Sequence, residues 1–424
     1  MIQGYFRALY SNGLDRLFAV IGNGFYEIMP DKTNVLRGTL TTPRGNCSIS
    51  ENETQIIITD GINGYIFTYS DNSFVQITDP AYPTGTHVIN LDGFFIQNES
   101  NSGRFWWSKL RDGTIWDGLQ FATAEGSPDN LLSFGKSNGE LWLFGSKSTE
   151  IWYDTGNNDS QFQRINQGFI DIGIDAPWSV ATSGNSILWL GGSALGHGIV
   201  WMASNYQPQR ISTHAIEYII EKLPRTDDAI AYIYQQEGHV FYMLTFPSGD
   251  VTLCYDLKTN MWHKRGAFDL ETGHIGRHRG NCFAFWQGKN YVGDYANSNL
   301  YELDLETYTD NGNPIKIVRV GPHIHHDRKR LFFHEFELDI ERGVGLVSGQ
   351  GSNPKITLNI SNDGGKTYGN DIQLSMGRIG KTTIRAHKHR LGYSRDRVFK
   401  MSTTDPVPCA FIAAHADIEV EGGV

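Results

Sequence analysis

The feature that most constrains this chain is an internal period. Between Leu132 and Thr213 one unit is written twice, first as LLSFGKSNGELWLFGSKSTEIWYDTG closing on FQRI, then as WSVATSGNSILWLGGSALGHGIVWMASNYQPQRIST. Each copy holds four short runs rich in aromatic and β-branched residues, set apart by Ser-Asn-Gly, Gly-Ser or Asn-Asp, the pattern of a four-stranded antiparallel meander. Leu141, Leu143, Ile151 and Tyr153 alternate with Trp142, Phe144 and Trp152, so both faces of these strands carry apolar bulk. A sheet held between two neighbouring sheets, as in a radially repeated fold, buries both.

The unit recurs along most of the chain. Further copies run from Phe6 to Leu40, Cys47 to Thr78, His87 to Phe121, Ala229 to Gly266 and Cys282 to Val320. Anchored on the second run of each unit (Leu17, Ile56, Phe94, Leu141, Ile187, Val240, Asn290), the separations are 39, 38, 47, 46, 53 and 50 residues. Their mean, about 45, is the length of a propeller blade. The expected fold is therefore all-β: a seven-bladed β-propeller over residues 1–321, then a β-sandwich-like domain over 322–424. Six blades are the alternative if the run Ile315 to Val320 opens the second domain. The stretch THAIEYIIEKL at 213–223 breaks the pattern. It puts Ala215, Ile216, Ile219, Ile220 and Leu223 on one stripe behind Thr213 or Ser212 as N-cap, and predicts a short helix ended by Pro224.

Composition agrees, with 47 glycines for turns and 39% hydrophobic residues for a core in 424 residues. A formal net charge of -10 argues against a surface built to grip nucleic acid. Cys47, Cys254, Cys282 and Cys409 have no metal-binding or disulfide spacing and suit a reducing compartment. The N-terminus lacks a signal-peptide pattern, and no apolar run reaches transmembrane length, so no membrane insertion is expected.

After Gly321 the register changes. PHIHHDRKR at 322–330 is a charged connection, followed by six or seven strand-like runs over about 100 residues, the spacing of a sandwich. Within it SNDGGKTY, with Ser361, Asp363, Gly365, Thr367 and Tyr368, is close to the Asp-box pattern S-x-D-x-G-x-T-W. That pattern is a turn device, in which the carboxylate accepts backbone N–H groups and glycines take positive φ. Asp boxes occur in sialidases, which makes a glycan-binding or glycan-cleaving propeller the alternative function; one copy outside the repeats carries no catalytic weight. His323, His325, His326 and His334 lie in or beside the basic run Arg328 to Arg330, which disfavours a metal there. His387 and His389 read as one polar strand face. No G-x-S-x-G, H-E-x-x-H or P-loop pattern occurs, so the chain is expected to be no enzyme and to use no cofactor or metal.

The ordered set LWLFGSKSTEIWYDTG, FQRINQGFIDIGIDAPWSVA, SILWLGG, IVWMASNYQPQRISTHAIE, CYDLKTNMWHKRG and HRLGYSRDRVFKMSTTDPVPCAFIAAHADIE resembles the packaged-DNA stabilisation proteins of short-tailed bacteriophages, also called tail hub or nozzle proteins. The likeness spans roughly Phe6 to Glu421. It implies a structural virion protein of the tail, assembled in the host cytoplasm as a homohexameric ring below the portal and adaptor proteins. Such a ring closes the DNA channel with a needle or plug protein, carries tail spikes or fibres, and meets passing double-stranded DNA without sequence-specific binding. Members of that family often carry a further segment ahead of the first blade; here little precedes Phe6. Aromatic and Arg-rich loops are enriched at contact hot spots. They make Arg104, Arg111, Tyr206, Arg210, His325, Arg328 and Arg330 the candidate interface residues.

Overall fold

A computed structural model of the chain describes residues 4–13, 15–157, 160–193 and 196–422. It divides into two compact units, Met1–Gly266 with Gly276–Leu303, and Ala267–Ile275 with Asp304–Val424.

The described residues of the first unit form seven antiparallel sheets, each built from one continuous segment. Six are four-stranded meanders opening at Phe6–Ser11, Ser48–Glu51, Val88–Leu91, Leu131–Ser137, Ala181–Ser183 and Ile230–Gln236; the seventh opens at Gly280–Trp286 and has three strands. All seven anchor residues named above fall in second strands. The first strand of each sheet lies beside the first strand of the next, and Gly280–Trp286 lies beside Phe6–Ser11.

Packing follows from the two-faced strands. Leu17, Ala19 and Ile21 point one way and Phe18 and Val20 the other, as strand alternation requires, and all five are buried. Phe18, Val20 and Phe25 meet Ile56, Ile58 and Phe67 of the second sheet. Six more clusters repeat this arrangement between each successive pair of sheets and between the seventh and the first. Each fully buried side chain of this size contributes about 1.5–3 kcal/mol, so most of the stabilisation lies between sheets.

The seam between seventh and first sheets has no short peptide connection. It is held by Phe6, Leu9, Leu17 and Ile21 against Ala284, Trp286 and Tyr291. Trp286 Nε1 donates to Asp15 O at 2.9 Å and Asn281 Nδ2 to Phe6 O at 2.8 Å. Gly293 makes room for the Phe6 ring, since a Cβ there would stand 2.2 Å from Phe6 Cγ.

The predicted helix is present as His214–Glu221, capped by Thr213, whose Oγ1 accepts from Ile216 N at 3.4 Å. Ile216 and Ile220 seal the space between fifth and sixth sheets, against Leu190, Val200 and Leu244.

The second unit is a sandwich. One sheet runs Ile317–Val320, Val398–Thr403, Lys355–Ser361, Ile372–Ser375; in the other, Leu331–Ile340 pairs with Ala386–His389, Tyr393–Ser394 and Phe411–Val420. Phe336, Leu338, Ile356, Leu358, Phe399 and Met401 fill the space between them, with the Phe336 and Phe399 rings stacked at 4.4 Å. Ile317–Val320 therefore does not complete the seventh blade. It pairs with Val398–Thr403 in the register Ile317↔Thr403 to Val320↔Lys400. A four-residue run records its own alternation but not which edge it joins.

Candidate interface surfaces

Arg104 opens the largely buried strand Arg104–Lys109 of the third sheet, and Arg111 lies in the turn beyond its other end, at φ 58°. Arg104 lies over the Phe121 ring at 5.1 Å, and Arg111 reaches Glu53 at 3.7 Å with both side chains in solvent. In the fifth sheet Tyr206, at φ 64°, donates its hydroxyl to Glu140 and lies near the Trp142 ring. Arg210 grips the helix through Glu217, donating from Nε at 2.7 Å, while Ser212 Oγ donates to the same carboxylate at 2.6 Å. Burial raises the Glu217 pKa, but Arg210 and Ser212 outweigh it and the net shift is downward. Tyr206 and Arg210 thus serve the fold of their own chain as well as facing outward.

In the second unit the connection 322–330 is exposed apart from Ile324, which bridges to Arg397. His325 is exposed; Arg328 O accepts from Arg395, and Arg330 pairs with Glu421 at 3.7 Å and lies over Tyr393. His323 and His334 pair separately, with Asp396 at 3.0 Å and Glu419 at 3.1 Å, so the four histidines of this region do not converge.

The SNDGGKTY turn has the geometry its residues require. Asp363 accepts from Lys366 N at 3.0 Å, Thr367 N at 2.9 Å and Thr367 Oγ1 at 2.6 Å, while Ser361 Oγ accepts from Gly365 N at 2.8 Å. Gly364 and Gly365 take φ of 74° and 84°. The Thr367 hydroxyl first, then its amide and Ser361, hold the Asp363 carboxyl well below the usual range. These bonds are local, and the carboxylate is committed to the turn. Tyr368 is half-buried with the Lys400 ammonium 4.2 Å from its ring centre.

Two features went unread in the sequence. The first is a cavity of about 200 Å³ among the first strands of the first unit, lined by Arg7, Tyr10, Asn46, Cys47, Trp178, Tyr232, Asn281 and neighbours. Its described lining has no carboxylate, so it lacks the paired acids of a glycosidase. Arg7 is spent on Gly22 O, Thr42 O and Gly45 O at 3.0, 2.5 and 2.7 Å. The buried His87 packs on Trp178 at 4.2 Å, and burial pushes its pKa down to about 4. The second feature is a grouping of Glu335, His387 and His389, whose ligand atoms all lie within 4.8 Å of one another. Strand pairing, not sequence proximity, brings them together.

Among solved structures the chain is similar to the extracellular domain of a one-component-system protein of B. thetaiotaomicron (13% identity, 98% of this chain and 57% of that chain, TM-score 0.47). It is also similar to the N-terminal domain of Nup159 (11% identity, 68% and 86%, TM-score 0.41) and to YCF48 bound to D1 peptide (13% identity, 70% and 92%, TM-score 0.40). No curated protein matches the chain. Two family models do. One, described as bacteriophage P22 Gp10, β-propeller, matches residues 2–308, and the other, bacteriophage P22 Gp10, β-sandwich, matches residues 316–419. With propeller and sandwich both matched in chain order, the protein belongs to the bacteriophage P22 Gp10 family of short-tailed phage tail hub and stabilisation proteins.

Proposed function

We propose that this chain is the subunit of a tail hub, or nozzle. Six copies form a ring below the portal and adaptor proteins, close the DNA channel together with a needle or plug protein, and anchor tail spikes or fibres. The observation that carries the reading is that both domains, and not the propeller alone, match one tail structural family. The physics is compatible with it. A unit whose sheets are packed on both faces is stiff and leaves few long strand edges open to aggregation, which suits a building block that bears load and presents loops.

In this reading the work is non-enzymatic. The first unit, Met1–Gly266 with Gly276–Leu303, supplies the rigid wedge, and the sandwich supplies the contacts along the tail axis. Arg104, Arg111, Tyr206, Arg210, His325, Arg328 and Arg330 meet neighbouring proteins. The net charge of -10 favours passage of the duplex over retention of it. Assembly takes place in the host cytoplasm and the product resides in the virion tail.

The test is reconstitution. The purified protein is mixed with its portal and adaptor, and the product is weighed by native mass spectrometry and imaged by electron microscopy. A six-fold ring at the adaptor end is the expected outcome. A lone 47.6 kDa particle under every assembly condition would overturn the proposal.

A further inference from the structure

We propose that Glu335, His387 and His389 form a binding site for a divalent transition-metal ion of the zinc class on the outer face of the sandwich. The proposal stands on the register of two strands, Leu331–Ile340 and Ala386–His389. Strand alternation places His387 and His389 on one face, and their rings meet edge to face at 4.9 Å. Glu335 is the direct cross-strand partner of His389, and Glu337 of His387. His389 Nε2 and Glu335 Oε1 are 3.8 Å apart. Two ligands of a tetrahedral ion at about 2.1 Å would stand about 3.4 Å apart, so a small side-chain rotation closes the set.

The second ring is already oriented. His387 Nδ1 lies 3.2 Å from Arg385 O. A neutral ring that donates there turns the lone pair of Nε2 outward, the outer-sphere arrangement that fixes a metal-binding imidazole. Two imidazoles and one carboxylate select zinc, nickel, cobalt or copper over calcium or magnesium, which prefer oxygen alone. Three protein ligands on an accessible face leave a fourth position for water.

Nearby charge comes from three strands. Asp417 on Phe411–Val420 faces Glu335 in register, and His415 faces Glu337. Arg385 is the opposing cation, but Glu337 holds it through both carboxylate oxygens. Its contact with Glu335 is a single bond at 3.1 Å, which an incoming ion can replace while the guanidinium stays on Glu337. His323 and His334 each face one carboxylate and make good controls. The four cysteines are free, and burial pushes the Cys47 and Cys254 thiols up to about 12, so these two compete poorly for the ion.

Titration of the full chain with Zn²⁺ by calorimetry tests this. One saturable site is expected. It should lose at least about tenfold in affinity in each of His387→Ala, His389→Ala and Glu335→Gln, keep its affinity in His323→Ala and His334→Ala, and tighten in Arg385→Ala. Cu²⁺ bound to the unaltered chain should show two nitrogen ligands by electron paramagnetic resonance, one after either His387→Ala or His389→Ala. These side chains lie on the surface, and unchanged far-ultraviolet circular dichroism checks the fold of each variant. Absence of saturable Zn²⁺ binding, or a site that survives both histidine variants, overturns the proposal.

Discussion

Replacing Trp286 by Ala tests whether the first unit is closed by packing alone. Trp286 is 1% exposed and stands on the seventh sheet against Leu9, Leu17 and Ile21 of the first. Truncating a buried aromatic of this size costs about 3–5 kcal/mol, and losing the bond to Asp15 O adds about 1 kcal/mol, for a total of about 4–6 kcal/mol. If that energy holds the seam, amides that exchange through seam opening should exchange roughly 10³–10⁴-fold faster, since each 1.4 kcal/mol is tenfold. Hydrogen exchange read by mass spectrometry on peptides covering Phe6–Ser11 and Gly280–Trp286 measures this directly. Trp142→Ala is the matched control, a 2% exposed indole between the fourth and fifth sheets, which the chain joins in succession. It should leave Phe6–Ser11 protected. Unchanged exchange at Phe6–Ser11 in Trp286→Ala, or equal acceleration in all seven sheets, would refute the idea that this seam opens by itself.

Three further outcomes are expected. Asp363→Ala should lower the melting temperature of the sandwich above about pH 4 and lose its effect at lower pH: a carboxyl whose folded pKa is depressed contributes stability above its unfolded pKa, near 3.9, and loses it as pH falls toward the folded one. Melting curves of both proteins across that range check the sign. Thr213→Ala removes the N-cap; because its bond is long at 3.4 Å, the cost should sit near the low end of the usual range, about 0.5–1 kcal/mol by denaturant titration. Arg111→Ala breaks only a solvent-exposed pair at 3.7 Å, so it should change stability by less than about 0.5 kcal/mol. Any larger loss in ring assembly, read by native mass spectrometry, would then belong to an interface.

How much the sequence discloses depends on how far each feature reaches along the chain. The sheets of the first unit are local, and their strands carry apolar residues on both faces. Leu17, Ile56, Phe94 and the other anchors could therefore be placed from spacing alone. The helix was legible for the same reason, since Thr213, Ile216 and Ile220 are neighbours in one turn pattern. Ile317–Val320 was not, because its partner Val398–Thr403 lies far along the chain and nothing in either run names the other. The same limit hid Glu335 from His387 and His389. RAHKHR reads as a polar strand face, and only the cross-strand register shows which carboxylate it meets. The sequence marks Arg210 and Tyr206 only as interface candidates, because Glu217 and Glu140 become their partners only on folding.

A ring fastened between its earliest and latest strands also has a timetable. Thr39 ends the first sheet and Glu302 the seventh, so a ribosome adding about 5–20 residues per second leaves roughly 15–50 s between the two. For that interval Phe6, Leu9, Leu17 and Ile21 have no counterpart to cover them. The nascent chain is stickiest at the end it made first, and conditions that slow translation should lengthen its need for chaperones.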